Sequence, residues 1–191
     1  MTRTRKRDVK ENRVLRRPIA PRIEMSDSET NFYETVTEVV RDYCIDNDLS
    51  DGLLVVTPQR MMSSSMPAAL RHWQSKQESN KDLEELRWES GLQSLDSSSS
   101  SKSNGPLVTL LAQHCGQFST FEELKENDSK FDELIKQLKG YWLNSPDKKV
   151  ILFSYFKATL RYLQERLDEL EISSSYLVGG MGKEKEAILK E

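Results

Sequence analysis

A glycine-rich segment near the end of the chain is the first candidate for chemistry, because glycine turns after strands can hold phosphate. It reads Gly179-Gly180-Met181-Gly182-Lys183. A phosphate loop also needs a glycine five residues before its Gly-Lys pair, and a hydroxyl residue after the lysine to bind magnesium. Leu177 and Glu184 occupy those positions, and Lys185 stands where a dinucleotide-binding fingerprint needs its last glycine. We therefore expect no nucleotide site in this segment.

The other reactive residue types are too scattered to predict an active site. Cys44, Cys115, His72 and His114 form no metal-ligand spacing. The serines lack the context of an activated nucleophile, and neighbouring acids are more simply explained as solvated helix faces. We predict no catalytic residue, no metal site, and reduced thiols as in a cytosolic protein.

Basic residues are concentrated at the start of the chain, although the net charge of the whole is −3. Residues 1–22 hold nine Lys or Arg against two acids, a net of +7, so the remainder carries −10. Such a segment can neutralise phosphates, which makes nucleic acid a natural partner, and a solvated, unfolded terminus is the alternative. The basic residues are Arg3, Arg5, Lys6, Arg7, Lys10, Arg13, Arg16, Arg17 and Arg22.

The composition predicts that part of the chain lies outside a packed core. Its hydrophobic content is 36% and its charged content 31%, whereas compact domains are about 45–50% apolar. The sequence has no apolar run of the roughly 20 residues that a membrane helix needs, and no signal peptide. We expect a soluble protein of the cytoplasm without a membrane partner.

Helical patterns occupy most of the chain before its last fifty residues. Ser26 and Glu29 fit a capping box that starts a helix, and Asp128 can cap another. Thr57 followed by Pro58 predicts a helix start, because proline is tolerated at the first helical position. The apolar positions expected on buried faces are Phe32, Val36, Val39, Val40, Tyr43, Met61, Met62, Met66, Phe131, Leu134, Ile135, Leu138 and Tyr141.

The last fifty residues carry a different pattern. The continuous apolar run 149–153 is typical of a strand buried on both faces, and 175–178 predicts a second strand. A leucine-lined helix over 160–170 lies between them, and another helix is expected over 183–190. The predicted fold class is therefore α/β overall and mostly helical, with an α-rich first two-thirds and a truncated parallel βαβ unit at the end.

Three blocks of the sequence resemble Swi/Snf-type ATP-dependent DNA translocases of helicase superfamily two. KKVILFSYFKATLRYLQERL, followed by SSSYLVGGMGKEKEAIL and preceded by FDELIKQLKGYW, resembles the opening of their second RecA-like motor domain. RTRKRDV and RRPIAPRIEMSDSETNFYETV resemble the stretch after their first motor domain. VVTPQRMMSSSMPAAL is similar to the helix that follows in bacterial members of the RNA-polymerase-associated type. The blocks occur in the family's order.

The resemblance implies a fragment that runs from the end of the first motor domain to the start of the second. Composition and helical patterns divide the chain into a basic extended arm over 1–25, a helical region over 26–96, a serine-rich linker over 97–106 and a helical region over 107–145. The resemblance assigns 146–191 to a truncated second RecA-like domain. The phosphate loop and Asp-Glu-x-His box would lie before the chain, and the arginine finger beyond it. ATP and magnesium are then cofactors of the intact enzyme, with none held by this chain, which we expect not to hydrolyse ATP.

The resemblance also implies where nucleic acid would bind. The strand end at 153–156 and the glycine turn at 179–180 would face duplex DNA, while Phe153 and Phe156 are assigned to the core. RNA polymerase or another nucleoprotein is an expected partner, with association to the nucleoid if the source is bacterial. A helical interaction or nucleic-acid-binding module that uses the basic arm stays open as an alternative, as does a regulator that docks on an intact translocase. The candidate contact residues are Ser154, Tyr155, Lys157, Gly180, Arg3, Arg5 and Arg7.

Overall fold

The computed structural model describes residues 18–48, 51–78 and 105–179. Seven α-helices account for all the regular secondary structure in these ranges. In chain order they are α1 (Asp27–Asp46), α2 (Asp51–Ser64), α3 (Met66–Glu78), α4 (Gly105–Phe118), α5 (Phe121–Glu126), α6 (Ser129–Asn144) and α7 (Lys157–Glu169).

Helix α1 begins at the predicted capping box. The Ser26 hydroxyl accepts a hydrogen bond from the Glu29 N–H at 3.3 Å, and the Glu29 carboxylate accepts one from the Ser26 N–H at 2.8 Å. These two bonds satisfy backbone donors that a helix start otherwise leaves without partners. Phe32, Val36 and Val40 then recur along one face and are fully buried, which confirms the predicted apolar face.

Helix α2 begins earlier than the sequence indicated. Thr57 and Pro58 lie inside it rather than at its start, so the helix continues through a residue that cannot donate a backbone hydrogen bond. The apolar residues on both sides of the proline favour this, since Val55 packs against the core and Met61 and Met62 are buried in it. Tertiary packing of the helix overrides the local preference of the proline.

The main hydrophobic core lies among α1, α2, α3 and α4, with Leu124 of α5 and Phe156 also buried in it. Trp73 on α3 is 1% exposed, and its ring stacks on that of Phe32 of α1 with 6.2 Å between centroids. The methionines at 61, 62 and 66 are buried, as predicted. This core holds the end of α2 in a fixed position beside the later part of the chain.

A second, smaller core joins α6 to α7. Phe131, Ile135 and Leu138 of α6 pack with Leu167 of α7, while Tyr141, predicted on the same face, is 47% exposed. Helix α7 ends in a Schellman motif. The N–H of Ile172 donates to the Leu167 carbonyl at 2.9 Å and that of Glu171 to Asp168 at 3.0 Å, which requires the left-handed φ of 58° at Glu171.

The described residues contain no β-strand, so the predicted α/β class with a RecA-like parallel βαβ unit is wrong for this part of the chain. Segments 149–153 and 175–178 have no regular secondary structure, whereas a strand requires a ladder of repeated backbone hydrogen bonds to a neighbour. Val150, Ile151 and Phe153 are 38%, 75% and 92% exposed. A buried strand therefore does not form here. The helix predicted over 183–190 lies outside the described residues.

Candidate nucleic-acid interface

A groove of about 550 Å³ lies where α2 ends, α6 begins and the segment 152–156 enters α7. Two of the sequence-predicted contact residues, Ser154 and Tyr155, line it. Side chains from the end of α2, from the N-terminal halves of α6 and α7, and from the segment before α1 form its other walls. The fold thus brings together residues that are far apart in the sequence.

A chain of hydroxyl groups connects the segment to the helices at one side of the groove. The Ser64 hydroxyl, on the last residue of α2, lies 3.1 Å from that of Ser154 and 2.9 Å from that of Thr159 on α7. Ser154 Oγ also accepts a hydrogen bond from the Phe156 N–H at 3.2 Å. These bonds fix the turn that leads into α7, whose N-cap residue Phe156 makes no side-chain capping bond.

Two cations stand at the rim of the groove. The Arg60 guanidinium lies 4.9 Å from the centroid of the Tyr155 ring, which is a cation–π geometry. Lys130, on the first turn of α6, donates to the Ser63 carbonyl at the end of α2. The rim therefore combines positive charge with an aromatic ring that is 57% exposed.

The remaining predicted contact residues have different positions. Lys157 is the first residue of α7 and is partly exposed beside the hydroxyl turn. Gly180, Arg3, Arg5 and Arg7 lie outside the described residues. Of the two phenylalanines assigned to the core, Phe156 is 4% exposed and confirmed. The assignment of Phe153 is wrong, because its side chain is 92% exposed.

A buried cluster of polar side chains, Asp128, Tyr162 and Arg166, lies next to the groove. Asp128, the N-cap of α6, accepts from the Phe131 N–H at 2.9 Å and from the Tyr162 hydroxyl at 2.8 Å. Arg166 donates to the Tyr162 oxygen at 2.9 Å and to the Lys125 carbonyl at 2.6 Å. Asp128 is 4% exposed and Tyr162 is 1% exposed. These side chains connect the start of α6 and the end of α5 to the middle and last turn of α7.

Burial controls the ionisation of this cluster. It raises the pKa of the Asp128 carboxyl above its ordinary value, although the hydrogen bonds from Phe131 and Tyr162 oppose the shift. It also raises the pKa of the Tyr162 hydroxyl, with the nearby Asp128 charge adding to the effect. Tyr162 therefore stays protonated and serves as a hydrogen-bond donor to Asp128.

Glu29 extends the polar contacts to α1. Besides capping its own helix, it accepts a hydrogen bond from the Ser129 N–H at 3.2 Å, and the Ser26 hydroxyl donates to the Asn127 carbonyl at 3.1 Å. The Glu29 carboxylate thereby accepts hydrogen bonds from backbone N–H groups at the starts of two helices, α1 and α6. The position of α6, and with it Lys130 at the rim, is fixed relative to α1.

Sequence reasoning predicted the Asp128 cap, which is confirmed, and named Ser154 and Tyr155 as candidate contacts, but it missed Arg60, Lys130 and the partners of Asp128. Arg60 meets Tyr155 only through the tertiary fold, so no local spacing could have identified it. The groove residues offer hydroxyls, two cations and an aromatic ring, while apolar side chains and the acids Asp128 and Glu133 form much of the remaining lining. The hydroxyls and the two cations at the rim can bind an anion.

Comparisons with known proteins give no relative. No protein-family model, no curated protein and no solved structure matches the chain. In the part of the chain that the structure describes, no three His, Cys, Asp or Glu side chains are grouped to hold a metal ion. None of the described helices has the length and apolar character needed to cross a bilayer.

Proposed function

We propose that this chain is a piece of a Swi/Snf-type, ATP-dependent DNA translocase that contributes DNA contacts and does not hydrolyse ATP by itself. The observation that carries the proposal is the meeting of two family-like blocks at one groove. Arg60 and Ser64 belong to the block VVTPQRMMSSSMPAAL, and Ser154 and Tyr155 belong to KKVILFSYF. Blocks that cooperate in one function are expected to meet in space, and these do so through polar contacts suited to an anionic ligand.

The expected lack of ATP hydrolysis follows from the chemistry of phosphoryl transfer. That reaction is catalysed by placing a phosphate loop, a metal ion and an arginine around the γ-phosphate. The sequence carries none of the corresponding motifs. DNA binding by the groove and by the basic arm over 1–22 is the activity left to the chain. In the intact enzyme we expect duplex DNA as substrate, RNA polymerase or another nucleoprotein as partner, and a cytoplasmic location, with association to the nucleoid if the source is bacterial.

Two measurements on the purified full chain test the proposal. The first is ATP turnover with and without duplex DNA. We expect no turnover in either case, and DNA-stimulated turnover would refute the proposal that the chain does not hydrolyse ATP. The second is anisotropy of a labelled duplex at several salt concentrations. Contacts to phosphates predict an affinity that falls steeply with salt. Failure to bind duplex even at low salt would refute the DNA-contact part.

A helical nucleic-acid-binding or interaction module without any motor is the second candidate. It is favoured by the finding that every regular element in the described ranges is a helix. The coding sequence around the chain distinguishes the two candidates. A phosphate loop encoded upstream and a Gln-x-x-Gly-Arg-x-x-Arg-like box downstream would support the translocase and exclude the independent module.

A further inference from the structure

Two aromatic side chains project outward from the segment that borders the groove. Phe153 is 92% exposed and Tyr155 is 57% exposed. Exposure alternates along the segment, so Leu152, Ser154 and Phe156 turn toward the helices while the aromatic residues turn away. This is the period-two pattern of an extended chain. It presents two rings on one side, at the edge of the same groove.

Positive charge lies beside these rings. The Arg60 guanidinium is in contact with the Tyr155 ring, and an ammonium has three donors, so Lys130 can bind an anion while keeping its bond to Ser63. The acids that line the groove already have partners. Asp128 accepts two hydrogen bonds, and Glu133 accepts from Lys136 and Gln137. The Glu133 charge is balanced by Lys136, and Asp128 is 4% exposed, so the two cations of the rim can bind a phosphate.

We propose that Phe153 and Tyr155 form a stacking platform for the unpaired bases of a single strand, with Arg60 and Lys130 binding its phosphates. Exposed aromatic rings beside a basic groove are the features with which proteins bind single-stranded nucleic acid. Bases inside a duplex are already stacked and do not reach such rings. The inference thus goes beyond the proposed contacts to duplex DNA and does not depend on them.

Charge complementarity favours a nucleic acid over an apolar peptide as the occupant. A peptide would cover Phe153 but would leave Arg60 and Lys130 without a counter-charge. A nucleotide satisfies both features at once. The groove, at about 550 Å³, also falls in the roughly 300–1,000 Å³ range of small-ligand sites.

The test compares three labelled oligonucleotides on the full chain by fluorescence anisotropy: an oligothymidine strand, an abasic strand of the same length, and a duplex. The abasic strand has the same phosphates but no bases. Binding through the basic arm contributes equally to both single strands, so their ratio isolates stacking. We expect the abasic strand to bind at least about fivefold more weakly, as loss of one stacked base does elsewhere. Equal affinities would overturn the inference.

Two variants sharpen the result. Phe153→Ala removes an exposed ring, so the fold should not change, and it is expected to lower oligothymidine affinity toward that of the abasic strand, because only the Tyr155 ring then remains. Leu143→Ala is the matched control, because Leu143 is an 85% exposed apolar residue on α6, and it should change neither affinity. Arg60→Ala should weaken both single strands. An unchanged oligothymidine affinity in Phe153→Ala, or release of oligothymidine by an uncharged apolar peptide competitor, would refute the platform.

The measurement with the duplex oligonucleotide tests the proposed function separately from this inference. Duplex binding without any base dependence among the single strands overturns the stacking platform and leaves the proposed function standing. Base-dependent single-strand binding without duplex binding supports the platform and overturns the proposed duplex contacts.

Discussion

Replacement of Asp128 by alanine should destabilise the protein, because this buried carboxylate joins the start of α6 to α7. The carboxylate accepts two hydrogen bonds, from the Phe131 N–H and the Tyr162 hydroxyl, and is 4% exposed. Loss of a helix N-cap costs about 1 kcal/mol. Leaving a buried hydroxyl donor without an acceptor costs about 1–3 kcal/mol more. The expected loss in the free energy of unfolding is therefore about 2–4 kcal/mol.

Urea unfolding followed by circular dichroism measures this loss. With a urea dependence of about 1–3 kcal/mol per molar for a protein of ordinary size, the midpoint should fall by about 1 M or more. The control is Asp132→Ala, which removes an exposed acid from the first turn of the same helix and should cost about 0.5 kcal/mol or less. If Asp128→Ala and Asp132→Ala shift the midpoint equally, the polar cluster does not stabilise the fold.

A double-mutant cycle separates the cap from the bond to the hydroxyl. Tyr162→Phe removes the hydroxyl and keeps the ring, which is buried against Phe131 and Phe121. Since Asp128 and Tyr162 are in direct contact, their effects should be non-additive by about 0.5–3 kcal/mol. Strict additivity would contradict the hydrogen bond between them.

Three further predictions concern titration and the backbone. Burial raises the pKa of Asp128 above 3.8, so the stability that its protonation contributes is fully present below pH 3.8 and is lost as pH rises through the folded pKa. The difference in unfolding free energy between the wild type and Asp128→Asn should therefore fall with increasing pH above 3.8. Burial raises the pKa of the Cys115 thiol to about 12, so at pH 8 a thiol reagent should modify it only as fast as the protein unfolds, and rapid native labelling would contradict its burial. Glu171→Gly should raise the unfolding free energy by about 0.5–1 kcal/mol, because glycine adopts the left-handed conformation observed there without the side-chain clash; a lower urea midpoint would refute this.

Helix starts that depend on nearby residues were predictable from the sequence. The capping box at Ser26 and Glu29 and the cap at Asp128 involve atoms within three residues of each other, so the pattern contains the whole interaction. The buried faces of α1 and α6 followed from helical spacing in the same way. The start of α2 did not, because packing around Pro58 determines it.

The two strand predictions were wrong because strand formation depends on residues that are distant in the sequence. A continuous apolar run such as 149–153 shows that a segment can be buried, but a strand also needs neighbours, and these come from elsewhere in the chain. In the described residues the run is extended with Ile151 and Phe153 in solvent. The same limitation applies to the groove, since the sequence could not predict that Arg60 of α2 would contact Tyr155.

The contact between Arg60 and Tyr155 at the rim of the groove is weak enough for a ligand to replace it. Phe156 is 4% exposed in the main core and anchors the segment firmly, whereas the outer contact is a cation–π pair on a ring that is 57% exposed. Such exposed pairs contribute about 0.5–1 kcal/mol. A stacked base contributes about 1–3 kcal/mol, so it can take the place of Arg60 on the Tyr155 ring. The displaced guanidinium would then be near the phosphate that follows the base, and both groups would act on one nucleotide without movement of the buried anchor.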